Sequence, residues 1–437
     1  MKTRFGKAAV CAVATAAVLA LMAGCSGSAG NTGASASGEG FAPSLDTTKE
    51  ATVNVVGDFS NFEALEAQFE KFNQVYPNVT LTYTKVDDYN NNVYQALNAK
   101  DEAPDLFMSA PYTFTNPDFS DAASMAEDLT AAGVDASAVK SEILYTEEGK
   151  GLQVLPILGE TYGMVVNQDL LAKYNLSVPT TYSELMDCCK VLQENGIESP
   201  IQGCDSASGL YTNFAFNHLA ATLSADASAL GKIANGESGA GEALRSHLQE
   251  VADLMDSGYV SHDANKASED GYENQILAFF EGDVPFMLMN TTTVSGMAKR
   301  ESMSEAFQAN PFTYAFYEVP CSDSGAYGYR TFTRGISLNK NAPNKDYATE
   351  FLRFLAQTTS LDELAAAKKV PSVTGNVDES GAFASLANTS ADHTCYTLDN
   401  TLNDKQMTAV KTALYSVGMG MSVDDAIAAF EKDLSAA

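Results

Sequence analysis

The sequence predicts an α/β fold: a parallel sheet with helices on both faces. Two observations carry this. Strand and helix patterns alternate five times between Ala51 and Met108, within about sixty residues, which is the grammar of consecutive βαβ units. The rest of the chain continues in the same mixed pattern with no internal repeat, and its 437 residues at 45% hydrophobic content suffice for the cores of two domains.

The elements follow in order. Val53, Val55 and Val56 mark a strand over Ala51–Val56 that ends at Gly57-Asp58. Phe62, Leu65, Phe69 and Phe72 fall at helical spacing with charges between, and Ser60 or Asn61 can cap that helix. Tyr76-Pro77-Asn78 turns the chain into a strand at Val79–Tyr83, a helix at Tyr89–Lys100 and a buried strand at Pro104–Met108. Strands are expected at Gly163–Asn167, Pro285–Met289, Phe312–Val319 and Gly335–Leu338. Helices are expected at Leu170–Tyr174, Tyr182–Glu194, Ala243–Ser257, Asn274–Glu281, Ala348–Gln357, from Lys405 onward, and at Val423–Leu434.

The N-terminus reads differently. Lys2, Arg4 and Lys7 precede an uncharged run from Ala8 to Ala23, then Gly24 and Cys25, the pattern of an export signal. The run is short for a membrane span, which needs about 20 apolar residues. Leu21-Met22-Ala23-Gly24-Cys25 resembles the lipobox of bacterial lipoproteins, with Met22 where that family usually places Leu. The resemblance implies that residues 1–24 are a signal peptide and that Cys25 is lipidated. Ser26 to about Glu50 is rich in Gly, Ala, Ser and Thr, so 25–49 is expected to be a flexible tether.

The net charge is −30, and loss of the three signal-peptide cations would take it near −33. Such a surface repels nucleic acid and anionic headgroups. Beyond Cys11 and Cys25, five cysteines remain: Cys188, Cys189, Cys204, Cys321 and Cys395. An odd number without Cys-x-x-Cys points to neither a disulfide framework nor a zinc motif, and the thiols read as small buried groups. His218, His247, His262 and His393 are scattered, no nucleophile, zinc-protease or phosphate-loop motif occurs, and no metal or cofactor is expected.

Several blocks, in this order, resemble the extracellular solute-binding proteins of ABC importers, in their carbohydrate-binding branch. They are Val53–Tyr83, Ala103–Phe107, Leu155-Pro156 with Glu160–Leu171 and Val178–Leu185, Phe279–Asp283 with Met287–Asn290, Gly335–Lys340, and Gly418–Ala426. The resemblance implies a two-lobed periplasmic-binding-protein-like fold with hinge crossovers and a cleft ligand site. Lobe one would comprise 50–157 and 320–370, and lobe two 158–319 and 371–437. It also implies a lipid-anchored monomer on the outer face of the cell membrane that hands a small solute, a sugar, to ABC permease subunits without altering it.

Sugar sites combine planar hydrogen-bonding groups with aromatic plates. The chain has no Trp, and Thr291-Thr292-Thr293 stands where the family commonly carries one. The candidate ligand residues are Asp58 and Phe59 after the first strand, and Ser109 and Tyr112 after the third. Glu160 and Tyr162 follow at the crossover, then Tyr211 and Asn213 in a polar loop with Phe214, and Thr293. Tyr327 and Arg330 lie in a Gly-rich loop with Tyr329, and Tyr396 completes the set. Arg334 reads equally well as half of an ion pair. Two other functions fit the sequence. A non-sugar cargo (polyol, amino sugar, polyamine or peptide) would use the same fold. A glycoside hydrolase would need two carboxylates about 5–10 Å apart, with Asp58 and Glu160 as candidates.

Overall fold

In the strand Ala51–Gly57, Val53, Val55 and Val56 are all buried, and the strand lies between two parallel neighbours, Val79–Lys85 and Leu106–Ser109. A strand covered on both faces is apolar without strict alternation. The helix Glu63–Val75 crosses between the first two and buries Leu65, Phe69 and Phe72. Phe62 is its N-cap, with no side-chain cap. The structure is a computed structural model that describes residues 2–4, 40–60, 62–99, 102–147, 149–203, 210–260, 272–376, 383–396, 398 and 401–435, without the side chains of 2–4, 210–212 and 272. Cys25, Cys204, His262 and the Tyr211 side chain lie outside the described residues.

The expected α/β fold is observed, but the sheet is mixed rather than parallel. Two long strands make the difference: Leu155–Asn167 and Gly328–Leu338. Gly328–Leu338 runs antiparallel to both Leu106–Ser109 and Leu155–Asn167. Leu155–Asn167 then pairs antiparallel with Phe286–Asn290 and with Tyr314–Tyr317. Ile201–Gln202 adds a parallel edge to Phe286–Asn290 at one end, and Lys2–Arg4 an antiparallel one to Val79–Lys85 at the other. One sheet is thus continuous through two separate cores.

The first core joins the 53–158 region to Phe332, Ile336, Phe351, Leu355, Leu361 and Val373. Phe72 is its hub, meeting Phe69, Tyr76, Phe351 and Phe354 with ring centroids 4.8–5.8 Å apart. The second joins Tyr162–Val319 residues to Cys321, Tyr329, Cys395 and the two C-terminal helices, Asp404–Gly418 and Val423–Leu434. Cys321 and Tyr329 pack in the second core and Val370 and Val373 in the first, whereas the sequence reading placed 320–330 with lobe one and 371–376 with lobe two. Gly328–Leu338 serves both cores, with Tyr329 in the second and Phe332, Ile336 and Leu338 in the first.

Residues 40–49 also depart from the tether expectation. Phe41 packs edge-on to Phe354 at 5.4 Å, and Tyr347 Oη donates to the Asp46 carbonyl at 2.8 Å. Ser44 donates to the buried Glu350 through its backbone N–H and its hydroxyl. One aromatic ring in an otherwise small-residue stretch is enough to anchor its end. The stretch from Tyr211 to Phe214, read as a polar loop, belongs to the helix Leu210–Ala225, which buries Asn213–Asn217, Leu219, Ala220 and Leu223 and exposes its C-terminal end. Asn213 and Phe214 are both in the second core region, 2% and 0% exposed. Cys188, Cys189, Cys321 and Cys395 are all buried.

Candidate functional site

Two crossover strands join the lobes side by side, with Thr161 opposite Arg330, Glu160 opposite Thr331 and Gly159 opposite Phe332. The segment at Pro371 lies against them. Gly159 N–H donates to the Pro371 carbonyl at 3.0 Å, and a Cβ on Gly159 would sit 2.5 Å from that oxygen, so glycine is required for the approach. Around these crossings lies a cavity of about 660 Å³. Glu160, Arg330, Thr331, Val370, Leu386 and Tyr396 are among its lining residues. That volume lies in the range of small-molecule sites. A larger hollow of about 890 Å³, among Glu127, Lys345 and Arg353, is an open depression on lobe one, away from the crossings.

Close to Glu160 stands a charged group drawn from three segments. Arg334 donates to Asp58 at 2.6 Å and its guanidinium lies over the Phe59 ring at 5.8 Å. Lys368 Nζ is 4.8 Å from the same ring centroid. Burial works against the Arg334 charge, but the hydrogen bond to Asp58, with Tyr112 and Glu160 nearby, outweighs it and raises its pKa. Glu160 accepts from Thr292 Oγ1 at 2.9 Å, at the start of the short helix Thr291–Ser295. Asn116 Nδ2 of the first lobe donates to Asp404 Oδ2, at the N-terminus of Asp404–Gly418 in the second, at 3.0 Å. Burial raises the Asp404 pKa against the pull of Lys411 and Asn116. Lys411 Nζ in turn donates to Tyr162 Oη at 3.0 Å.

The candidates from sequence therefore separate. Asp58, Phe59 and Glu160 meet around Arg334. Glu160, Arg330 and Tyr396 share the cavity, Tyr396 with Lys140 Nζ 5.0 Å from its ring centroid. Tyr112 is near Arg334, with its hydroxyl 3.4 Å from Asn90 Oδ1. Ser109 is buried and its hydroxyl is bonded to Ser337 at 2.8 Å. Tyr162 is nearly buried and stacks with Tyr329 in the second core. Asn213 is buried, its Oδ1 lacking a hydrogen-bond partner among the described residues. Thr293 is occupied with Asn290, which accepts from its N–H and hydroxyl at 2.9 Å. Tyr327 lies away from the crossings, between the rings of His218 and His393. Sequence reasoning missed Thr292, Lys368, Asp404, Asn116 and Lys411. Only Asp404 carried a local signal, the Asn-x-x-Gln capping box of Asn403 and Gln406 on either side of it.

Residues 57–360 match the model of the family described as "Bacterial extracellular solute-binding protein". The chain belongs to this family. A comparison with curated proteins found no match. Among solved structures, this solute-binding protein is similar to a family 1 extracellular solute-binding protein from Bifidobacterium longum subsp. infantis. That pair has 14% identity and TM-score 0.65, covering 89% of this chain and 100% of that one. A sugar transporter protein from Bacillus licheniformis, in complex with stachyose, is similar at 16% identity and TM-score 0.60, over 88% and 100% of the two chains. A cyclic α-maltosyl-1,6-maltose binding protein from Arthrobacter globiformis is similar at 17% identity and TM-score 0.63, over 89% and 99%. At such identities the likeness establishes the two-lobed fold. Among the described residues no helix is long and apolar enough to cross a membrane.

Proposed function

We propose that this solute-binding protein captures a sugar or oligosaccharide between its lobes and delivers it, chemically unchanged, to an ABC importer. The cavity at the strand crossings carries the reading, together with the family. It is large enough for a sugar, and Glu160, Arg330 and Asn376 set planar hydrogen-bonding groups in its lining, with the Arg334–Asp58 pair close to Glu160. Phe59 and Tyr112, in place of the missing Trp, are the aromatic surfaces for C–H faces. The stachyose and cyclic maltosyl-maltose ligands of the similar proteins favour an oligosaccharide. Lobe one would act as residues 50–158 with 331–376 and lobe two as the remainder, and solute would favour the closed arrangement by its better fit there.

A thermal-shift panel of mono- and oligosaccharides, polyols, polyamines and peptides tests the cargo. A saccharide at 100 times its dissociation constant should add about 2.7 kcal/mol of stability and be recovered intact. Shifts from polyamines or peptides alone would overturn the sugar reading, and cleaved sugar would replace binding with hydrolysis.

Cys25 would carry the lipid that holds the protein on the outer face of the membrane as a monomer. Cys25→Ser should move the protein from the membrane fraction into the medium. Membrane retention of this variant would remove the anchor from the reading.

A further inference from the structure

Three of the four histidines, scattered in sequence, converge inside lobe two, away from the crossings. His218 lies on the helix Leu210–Ala225. His247 and Glu250 sit three residues apart on one face of Arg245–Asp256. Cys321 lies in the connection leading to Gly328–Leu338. Ligand atoms of His218, Glu250 and Cys321 all fall within 4.8 Å of one another. His218 Nδ1 is 2.7 Å from Glu250 Oε1, and His247 Nδ1 is 3.4 Å from the same oxygen. The two imidazoles meet edge to face at 4.6 Å. Tyr327 stacks on His218 at 4.2 Å, and His393 stacks on Tyr327, so an aromatic layer covers the cluster.

The polar groups here are not satisfied by one another. His247 is 2% exposed, and neither of its ring nitrogens completes a hydrogen bond among the described residues. Glu250 Oε2 is buried and likewise without a partner. Buried polar atoms in this state are unusual and call for a binding partner. The cluster gathers an imidazole, a carboxylate and a thiol within 4.8 Å of one another, with a second imidazole, His247, 3.4 Å from the carboxylate.

We propose that His218, Glu250 and Cys321 bind a zinc ion, with His247 completing the tetrahedron. Imidazole, carboxylate and thiolate are the donors zinc takes in four-coordinate sites. Bonds of about 2.0–2.3 Å put tetrahedral ligand atoms about 3.3–3.8 Å apart. The ligand atoms, within 4.8 Å of one another, need to adjust by only about 1 Å to reach that spacing, and the metal would take the place of the 2.7 Å contact between His218 and Glu250. The Cys321 thiol releases its proton to solvent on binding. The ion would pin the helix pair to the connection that leads into the second crossover strand, so the site is structural and separate from the solute cavity.

The full chain, stripped with chelator, should take up one equivalent of Zn²⁺ with a rise in melting temperature that chelator reverses. Co²⁺ in its place should give the visible spectrum of a tetrahedral site and a thiolate charge-transfer band. Cys321→Ser should abolish that band and weaken the affinity at least about tenfold, while leaving the thermal shift by solute in place. Glu250→Gln, nearly identical in shape, should weaken binding without disturbing the fold by circular dichroism. A stripped protein that binds no Co²⁺ would overturn the proposal. So would wild-type affinity and spectrum in both variants, which would move the metal to the acidic surface.

Discussion

Replacing Arg330 by Ala should destabilise the protein by about 3–5 kcal/mol at neutral pH, the usual cost of removing one partner of a buried ion pair. The Glu318 side chain is 1% exposed and sits 3.2 Å from Arg330 Nη2. Thr389 donates its hydroxyl to the other carboxylate oxygen. Arg330 Nη2 also donates to the Leu386 carbonyl at 2.7 Å, so the same guanidinium ties the second crossover strand to the turn Ala384–Asn388. Its loss leaves a carboxylate buried with one hydroxyl for company. The pH dependence identifies the cause. Burial already raises the Glu318 pKa above its ordinary 4.5, against the opposing pull of Arg330 and Thr389. The folded state therefore holds this proton more tightly than the unfolded chain. The stability tied to the proton is complete below the unfolded value and is lost as pH rises through the folded one. Without Arg330 the folded pKa moves further up, so the defect should be large at pH 7.5 and shrink towards pH 5. Adding Glu318→Gln to the variant should recover most of the loss. Urea denaturation at both pH values measures this. A deficit below about 1 kcal/mol at pH 7.5, or one that does not change with pH, would show that the pair holds no buried charge.

The elements most legible in the sequence were those whose pattern is local. Tyr182–Glu194 and Val423–Leu434 begin and end where their caps predict, with Thr181 and Ser422 accepting from the first-turn N–H groups. The three parallel strands of lobe one were visible as short apolar runs. The long crossover strands were under-read because their extra residues, Leu155–Tyr162 and Gly328–Arg334, contain Pro, Gly, Glu and Arg. Such residues resemble a loop until a second strand pairs with them. For the same reason Arg330 looked like a loop residue, although it neutralises a buried glutamate twelve positions away. Leu210–Ala225 was hidden differently. Its polar residues, Asn213, Asn217, His218 and Thr222 among them, are spread round the helix, so no apolar stripe stands out. The site divides along this line. Asp58, Phe59 and Glu160 stand at or beside strand ends that the pattern located, whereas Thr292, Lys411, Asp404 and the His218 cluster depend on distant segments meeting.

Glu160→Ala should lower solute affinity by roughly 10–150-fold, the equivalent of about 1.5–3 kcal/mol for a hydrogen bond to a charged group. Three placements set this residue apart. It stands on the first crossover strand, where the lobes join, and it lines the cavity. It accepts from Thr292 of lobe two. It also faces the Arg334 charge, which Asp58 of lobe one holds in place. A solute hydroxyl bonded to Glu160 can therefore reach groups fixed to both lobes, and that double attachment is what favours closure over opening. The carboxylate is only half-buried, so its loss should shift the melting temperature of the solute-free protein little. Calorimetric titration with the best saccharide of the panel separates the two effects. Affinity within twofold of the wild type would exclude Glu160 as a ligand contact and move the site towards Asp404 and Lys411. A large fall in melting temperature without solute would instead make Glu160 a brace between the crossover strand and Thr292, with the weaker binding following from a displaced hinge.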